Sequence, residues 1–163
     1  MSESVKHLYT VDLQQKIADE PASQIITELR SPARDDLETL GQLMLDAYMG
    51  TIDDEGEGLA EAYDEVEAYF DDAPLLAASY IAFVDEAAVS AILLSVWRGD
   101  PLVGYVMTHP AYKNQGLAGV VLRVALQSLA DARWAKVYAF ITEGNTASEA
   151  LFRSAGAVKT PVF

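Results

Sequence analysis

Capture of a phosphate takes hydrogen-bond donors more than counter-charges, and the stretch VGYVMTHPAYKNQGLA, Val103 to Ala118, has the order of residues that presents them. Gly104 to Thr108 is rich in strand formers, Pro110 cannot continue a ladder, and the polar loop Tyr112 to Gln115 meets Gly116, where a helical pattern opens. The first N–H groups of a helix have no partner inside it, and the helix dipole is positive there. Gly116 lets that backbone approach an anion closely, and Lys113 adds one positive charge at the mouth. Taken alone, Lys113, Gly116 and Ala118 read first as a plain strand–loop–helix joint, so the surrounding elements decide.

Those elements can be read in order. Met1 to Ala22 has a mixed, loosely helical pattern and reads as an N-terminal arm; Ser23 onward, to Phe163, reads as one domain. Ser23 to Arg30 is a first strand. Ser31-Pro32 has the form of a helix start, followed by Leu37, Leu40, Met44 and Tyr48 at helical spacing. The loop GTIDDEGEG, Gly50 to Gly58, separates this helix from a second over Leu59 to Phe70, whose apolar stripe is opposed by Glu61, Asp64, Glu65 and Glu67. Ser79 to Val84, Ala88 to Trp97 and Leu102 to Thr108 form a meander closed by the turns at Asp85-Glu86 and Arg98-Gly99-Asp100. A helix over Leu117 to Ala130 then leads to a strand over Lys136 to Thr142, suited to parallel pairing with the strand before that helix. Thr146 and Glu149 have capping-box form, which leaves Asn145 free, and Gly156 suits the end of the last helix.

Composition narrows the function. The chain has no cysteine, which excludes a disulfide frame, a thiol nucleophile and a Cys-based metal site, and it has only two histidines. No basic leader and no long apolar run is present, so the chain reads as soluble and cytoplasmic. Net charge is −14, and sixteen of the 25 acids lie between Arg34 and Arg98, where there is no Lys or Arg. Such a field disfavours nucleic acid and anionic membrane and favours cationic partners, although a solvated acidic face is the ordinary reason for an excess of this kind.

With its context, the central stretch resembles the GNAT superfamily of acyl-CoA-dependent N-acetyltransferases. That family's motif is Arg or Gln, two residues, Gly, one residue, then Gly or Ala, after a strand ending in a His-Pro-like step. Lys113, Gly116 and Ala118 fill it here, after Thr108, His109, Pro110 and Tyr112. Asn145, Ala147, Leu151, Phe152 and Gly156 are similar to the family's downstream Asn…Ala…Leu-Tyr…Gly helix. The resemblance covers Ser23 to Phe163. It implies an α/β (α+β) fold: a mixed, mostly antiparallel sheet of about six strands flanked by about four helices, with the last strand shortened or absent. The N-terminal arm or a second subunit, in a homodimer, would then cover the exposed sheet edge.

The resemblance also implies a chemistry. Acetyl-CoA, as co-substrate, would lie where the fourth and fifth strands splay, its pantetheine on the backbone of Val106, Met107 and Thr108. Its pyrophosphate would sit on Lys113, Asn114, Gln115, Gly116, Leu117, Ala118 and Gly119, with Asn145 on the cofactor arm. Arg123 either reaches a phosphate or is an ordinary surface residue. A primary amine would attack the thioester directly, its oxyanion held by a backbone N–H near Met107. Glu143 and the loop acids Asp53, Asp54, Glu55 and Glu57 are the candidate bases. His109 reads as structural. Relatives often protonate the leaving thiolate with a Tyr where this chain has Phe152. Either the thiolate leaves unaided, or Tyr105, Tyr112 or Tyr138 substitutes, or the chain is a catalytically silent acyl-CoA-binding or protein-interaction module. Asp53, Asp54 and Glu55 would attract a cationic acceptor. A nucleotide-binding phosphate loop fits less well, because no Gly-Lys-Ser/Thr ending follows.

Overall fold

The computed structural model describes residues 5–15, 28–51, 54 and 56–160. Among the described residues, seven strands run β1 (Lys6–Asp12), β2 (Glu28–Arg30), β3 (Tyr80–Val84), β4 (Ala87–Trp97), β5 (Asp100–Thr108), β6 (Lys136–Thr142) and β7 (Val158–Lys159), and four α-helices are α1 (Leu37–Tyr48), α2 (Leu59–Asp71), α3 (Leu117–Asp131) and α4 (Thr146–Ser154). The strands form one sheet in the order β2-β3-β4-β5-β6-β1-β7, antiparallel throughout except for the parallel pair β5–β6. This is the mixed, mostly antiparallel α/β fold expected from the sequence.

The meander follows from its turns. Asp85 and Glu86 both take positive φ (50° and 69°), as do Arg98 and Gly99 (51° and 82°), and such two-residue turns match the twist of the strands they join. β4 is the central strand of the layered core: Ala91 and Leu93 face one side, Ile92 and Leu94 the other, and all four are fully buried. Leu40, Leu43, Val66 and Phe70 of α1 and α2 pack on the first side. Val121, Leu122, Ala125 and Leu129 of α3, with Phe152 of α4, pack on the second.

Two local expectations are corrected. The segment read as an arm with a loosely helical pattern contains β1, which pairs along its length with β6 and then with β7. Its working periodicity is two: Tyr9, Val11 and Leu13 are 2%, 5% and 5% exposed, and they join the core under α3. The sheet edge at β6 is thus covered by β1 of this N-terminal segment, the first of the two coverings expected. Secondly, Ser31-Pro32 does not start α1. A single 3-10 turn, Arg34–Asp36, precedes the helix, and the Asp36 carboxylate accepts from the Ala33 N–H at 2.8 Å. The last strand is shortened, as expected: it is two residues long and lies on β1. Of the expected first strand, Glu28–Arg30 is seen; positions 23–27 lie outside the described residues.

Candidate active site

β5 and β6 pair only at Leu102–Tyr138 and Val103–Ala139. Beyond those rungs a cleft of about 520 Å³ opens between them, floored by Val103 to Val106 and by Ala139 to Thr142. A bulge accompanies the opening. Leu93 stands opposite Tyr105 and Leu94 opposite Val103, so Gly104 is the extra residue on β5.

The bulge decides which backbone groups the cleft receives. N–H and C=O of one strand residue share an edge, and successive residues alternate edges. The His109 N–H donates to Val89 of β4 at 2.8 Å, which puts Met107 on the β4 edge too and Val106 on the opposite one. Tyr48 agrees with this: its hydroxyl donates to the Val106 carbonyl at 3.2 Å from across the cleft. The Met107 side chain is 1% exposed, in the core below α1 and α2, and its carbonyl accepts from the Ser90 hydroxyl at 2.8 Å. The cleft-facing backbone donor expected near Met107 thus belongs to Val106.

One wall is acidic. Asp54, Glu57, Glu61 and Glu65 line the cleft, with Lys6 as its lysine. Asp54 holds the loop after α1 in shape, accepting from the Gly50 and Gly56 N–H groups at 2.8 Å each, and these bonds keep its carboxyl below the usual carboxylate range. Glu61 accepts from the Gly58 N–H at 3.0 Å and so closes the start of α2. The Tyr105 hydroxyl donates to Glu65; burial first, then this bond, pushes its pKa well above the ordinary tyrosine value. Asp53 and Glu55 lie outside the described residues.

The loop before α3 is wound as a phosphate cradle requires. Asn114 and Gly116 take left-handed conformations, φ 63° and 83°, and Gly116 is the N-cap, its carbonyl taken by the Val120 N–H at 3.1 Å. The amides of Leu117, Ala118 and Gly119 therefore precede the first intrahelical acceptor's partner and point out of the helix start. Lys113 does not stand at that mouth: its Nζ donates to the Ala47 carbonyl at 3.3 Å, tying the loop to the end of α1. Arg123 donates to the Ser154 carbonyl at 3.0 Å and joins α3 to α4. Pantetheine amides fit the strand edge at Val106, and an anion fits the start of α3, so the residues suit an acyl-CoA.

The remaining sequence candidates separate. Asn145 lines the cleft, but it is not left free by Thr146: it is itself the N-cap of α4, its Oδ1 accepting from the Ser148 N–H at 3.1 Å. Phe152 lines the cleft and is 4% exposed. Glu143 is not among the lining residues; its carboxylate is 3.7 Å from His7. Tyr112 is also outside, with its ring edge-on to His109, and His109 itself accepts from the Ala111 N–H at 3.1 Å, a structural role. Tyr138 packs edge-on against Trp97. Sequence reasoning missed Tyr48, Glu61 and Glu65 as site residues. Tyr48 counted only toward the stripe of α1, and the two acids toward the solvent side of α2.

A family model described as an acetyltransferase (GNAT) domain matches residues 27–158. The chain belongs to the GNAT acetyltransferase family. Among solved structures it is similar to a GCN5-related N-acetyltransferase from Sphaerobacter thermophilus (TM-score 0.74, 15% identity), covering 95% of this chain and 48% of that one. This chain thus spans about half the length of the Sphaerobacter protein. It is also similar to the ribosomal-protein-S18-alanine N-acetyltransferase from Escherichia coli (TM-score 0.67, 15% identity; 80% of this chain, 77% of that). A third is AAC(6')-Iy in complex with the bisubstrate analogue CoA-S-monomethyl-acetylneamine (TM-score 0.66, 14% identity; 85% of this chain, 95% of that). Comparison with curated protein sequences finds no match.

Proposed function

We propose that this chain transfers the acetyl group of acetyl-CoA to a primary amine by direct attack, and that the acceptor is cationic. The observation that carries the reading is the parting of β5 and β6 beyond Val103 and Ala139, which turns the Val106 edge into a cleft walled on its other side by carboxylates. The thioester carbonyl would take the Val106 N–H, and Asn114 to Gly119 would hold the pyrophosphate, with Asn145 beside the cofactor arm. The acidic wall and the loop of Asp53, Asp54 and Glu55 would draw in an ammonium group. The structure of AAC(6')-Iy with a CoA-linked aminoglycoside analogue supports an amine acceptor in this fold.

A calorimetric titration with acetyl-CoA, free CoA and ATP tests the cofactor half. Acetyl-CoA and CoA should bind, ATP should not compete, and Gly116→Glu should abolish binding, because it adds bulk and negative charge at a left-handed N-cap. Thiol release with a panel of amines tests the transfer, free of protein background because the chain has no cysteine. A second reading, a catalytically silent acyl-CoA-binding or protein-interaction module, draws on the bare Phe152 ring in the cleft. Binding without amine-dependent thiol release would favour it.

A further inference from the structure

We infer that Tyr48, at the end of α1, is the catalytic acid that protonates the departing thiolate; this rests on the acetyltransferase reading above. The reaction needs such a proton. As the amine nitrogen bonds to the acyl carbon, the carbon–sulfur bond breaks and its electron pair goes to sulfur. Efficient transfer to a thiolate calls for an acid whose pKa is near that of a thiol, which points to a phenol, not to carboxylic acids that ordinarily ionise near ~4.

The described cleft holds two phenols, Tyr48 and Tyr105. Both donate their O–H, but Tyr105 gives its own to the Glu65 carboxylate on the α2 wall, whereas Tyr48 gives its own to the strand edge itself. Lys6 enters from β1, where it stands opposite Thr142, on the far side of β6 from Val106. Tyr48 alone of these places its hydroxyl on the backbone edge where the acyl group would lie, 3.2 Å from the Val106 oxygen. It is also held firmly. The Tyr48 carbonyl accepts from the Thr51 N–H at 3.0 Å and the Thr51 hydroxyl at 2.7 Å, and the adjoining Ala47 carbonyl accepts from Lys113. The loop that cradles the phosphates is thus pinned one residue from the acid that serves the thioester.

The protons balance. The acceptor ammonium gives one proton to solvent before attack. The nitrogen gives a second as the amide forms, and this restores the Tyr48 phenol after its own proton has gone to sulfur, yielding acetamide, CoA thiol and one proton. Lining the same cleft are Tyr105 from β5, Glu61 and Glu65 from α2, and Asp54 and Glu57 from the loop; Lys113 and Asp46 flank the same end of α1.

The test is Tyr48→Phe, assayed by free-thiol release with an amine that the wild type accepts. The expected result is a fall in kcat of about 10²-fold with an unchanged Kd for acetyl-CoA by calorimetry, and loss of the alkaline limb of the kcat profile. Phe152→Tyr in the same background, which sets a phenol on the α4 wall of the cleft, should restore at least part of kcat. An active variant with unaltered kcat and pH profile would overturn the assignment and leave the acetyltransferase reading standing. Loss of acetyl-CoA binding in Tyr48→Phe would also overturn it, by making the residue a structural one. A wild type that releases no thiol with any amine would overturn both.

Discussion

Asp36 is a carboxylate that the fold cannot leave unpaired. It is 7% exposed, and Arg30 grips it through two bonds of 2.7 and 2.8 Å while the Ala33 N–H supplies a third. Arg30 first, and Ala33 after it, hold the Asp36 carboxyl below the usual aspartate range against the opposing cost of burial. A depressed pKa contributes stability that is present above the unfolded value near ~4 and is lost as pH falls through the folded value. Acid unfolding of the wild type should therefore show a component below pH ~4 that Asp36→Asn lacks, and the variant should be less stable at pH 7, as denaturant melts at both pH values would read. Tyr69 offers the opposite sign. Burial raises its pKa to about 12, while its hydroxyl shares a 2.7 Å bond with Ser79. Its stabilising contribution is complete below the ordinary tyrosine value of ~10 and fades as pH climbs from there toward 12. A spectrophotometric titration should show one fewer tyrosine still protonated at pH 11 in Tyr69→Phe than in the wild type, with Tyr105 protonated in both.

At the scale of elements, the joint between α1 and α2 is closer than side chains normally permit. A Cβ on Gly41 would fall inside the ring of Tyr63, so α1 meets α2 across bare backbone. Gly41→Ala should lower stability by about 1–3 kcal/mol by thermal melt, despite alanine's higher helix propensity, because the ring has to move. Since Tyr48 and the acids at Glu61 and Glu65 ride on these helices, the same variant should weaken amine turnover more than acetyl-CoA binding. The elements themselves were largely legible. β6 occupies Lys136–Thr142 as expected, and the meander showed itself through Asp85-Glu86 and Arg98-Gly99, residues that turns use. β1 was hidden because Val5, Leu8 and Leu13 mimic a helical spacing, although the partners that select its Tyr9, Val11 and Leu13 face lie on β6, far along the chain. The α4 cap slipped by one residue because Asn145 and Thr146 are both good capping residues. The cleft edge of β5 was not legible for a deeper reason. Gly104 adds one residue to the count, so Val103 and Val106 share a face, and a reading by simple alternation assigns the cleft to the wrong neighbour.

Over the whole molecule, charge is divided by topology as well as by sequence. The segment with sixteen acids includes α1, α2 and the loop between them, on one side of the parted strands, while the left-handed turn at Gly116 belongs to the region that holds all eleven Lys and Arg. On the proposed reading, an acidic protein would thus receive an anionic co-substrate from one side and a cationic acceptor from the other. Electrostatic attraction of this kind is screened by salt. KM for a cationic amine should rise several-fold between 20 and 300 mM salt, and much less for a neutral amine of the same size. Among the described residues, no helix is long and apolar enough to cross a membrane, and no group of His, Cys, Asp and Glu is arranged to hold a metal ion.

The placement of β1 sets a timetable for the chain. It leaves the ribosome before the other six strands, yet its partner β6 is made only after α1, α2 and α3, and β7, which lies on β1, comes later still. Until the stretch around Val137 to Ile141 emerges, Tyr9, Val11 and Leu13 have no sheet to join. Closing so long a loop is costly in entropy and slow, so this half of the sheet should assemble last, after the local β3–β4–β5 meander. Nascent chains halted before Lys136 should accordingly carry a formed meander and a protease-sensitive N-terminus, an order in which the cleft between β5 and β6 is acquired only after the meander.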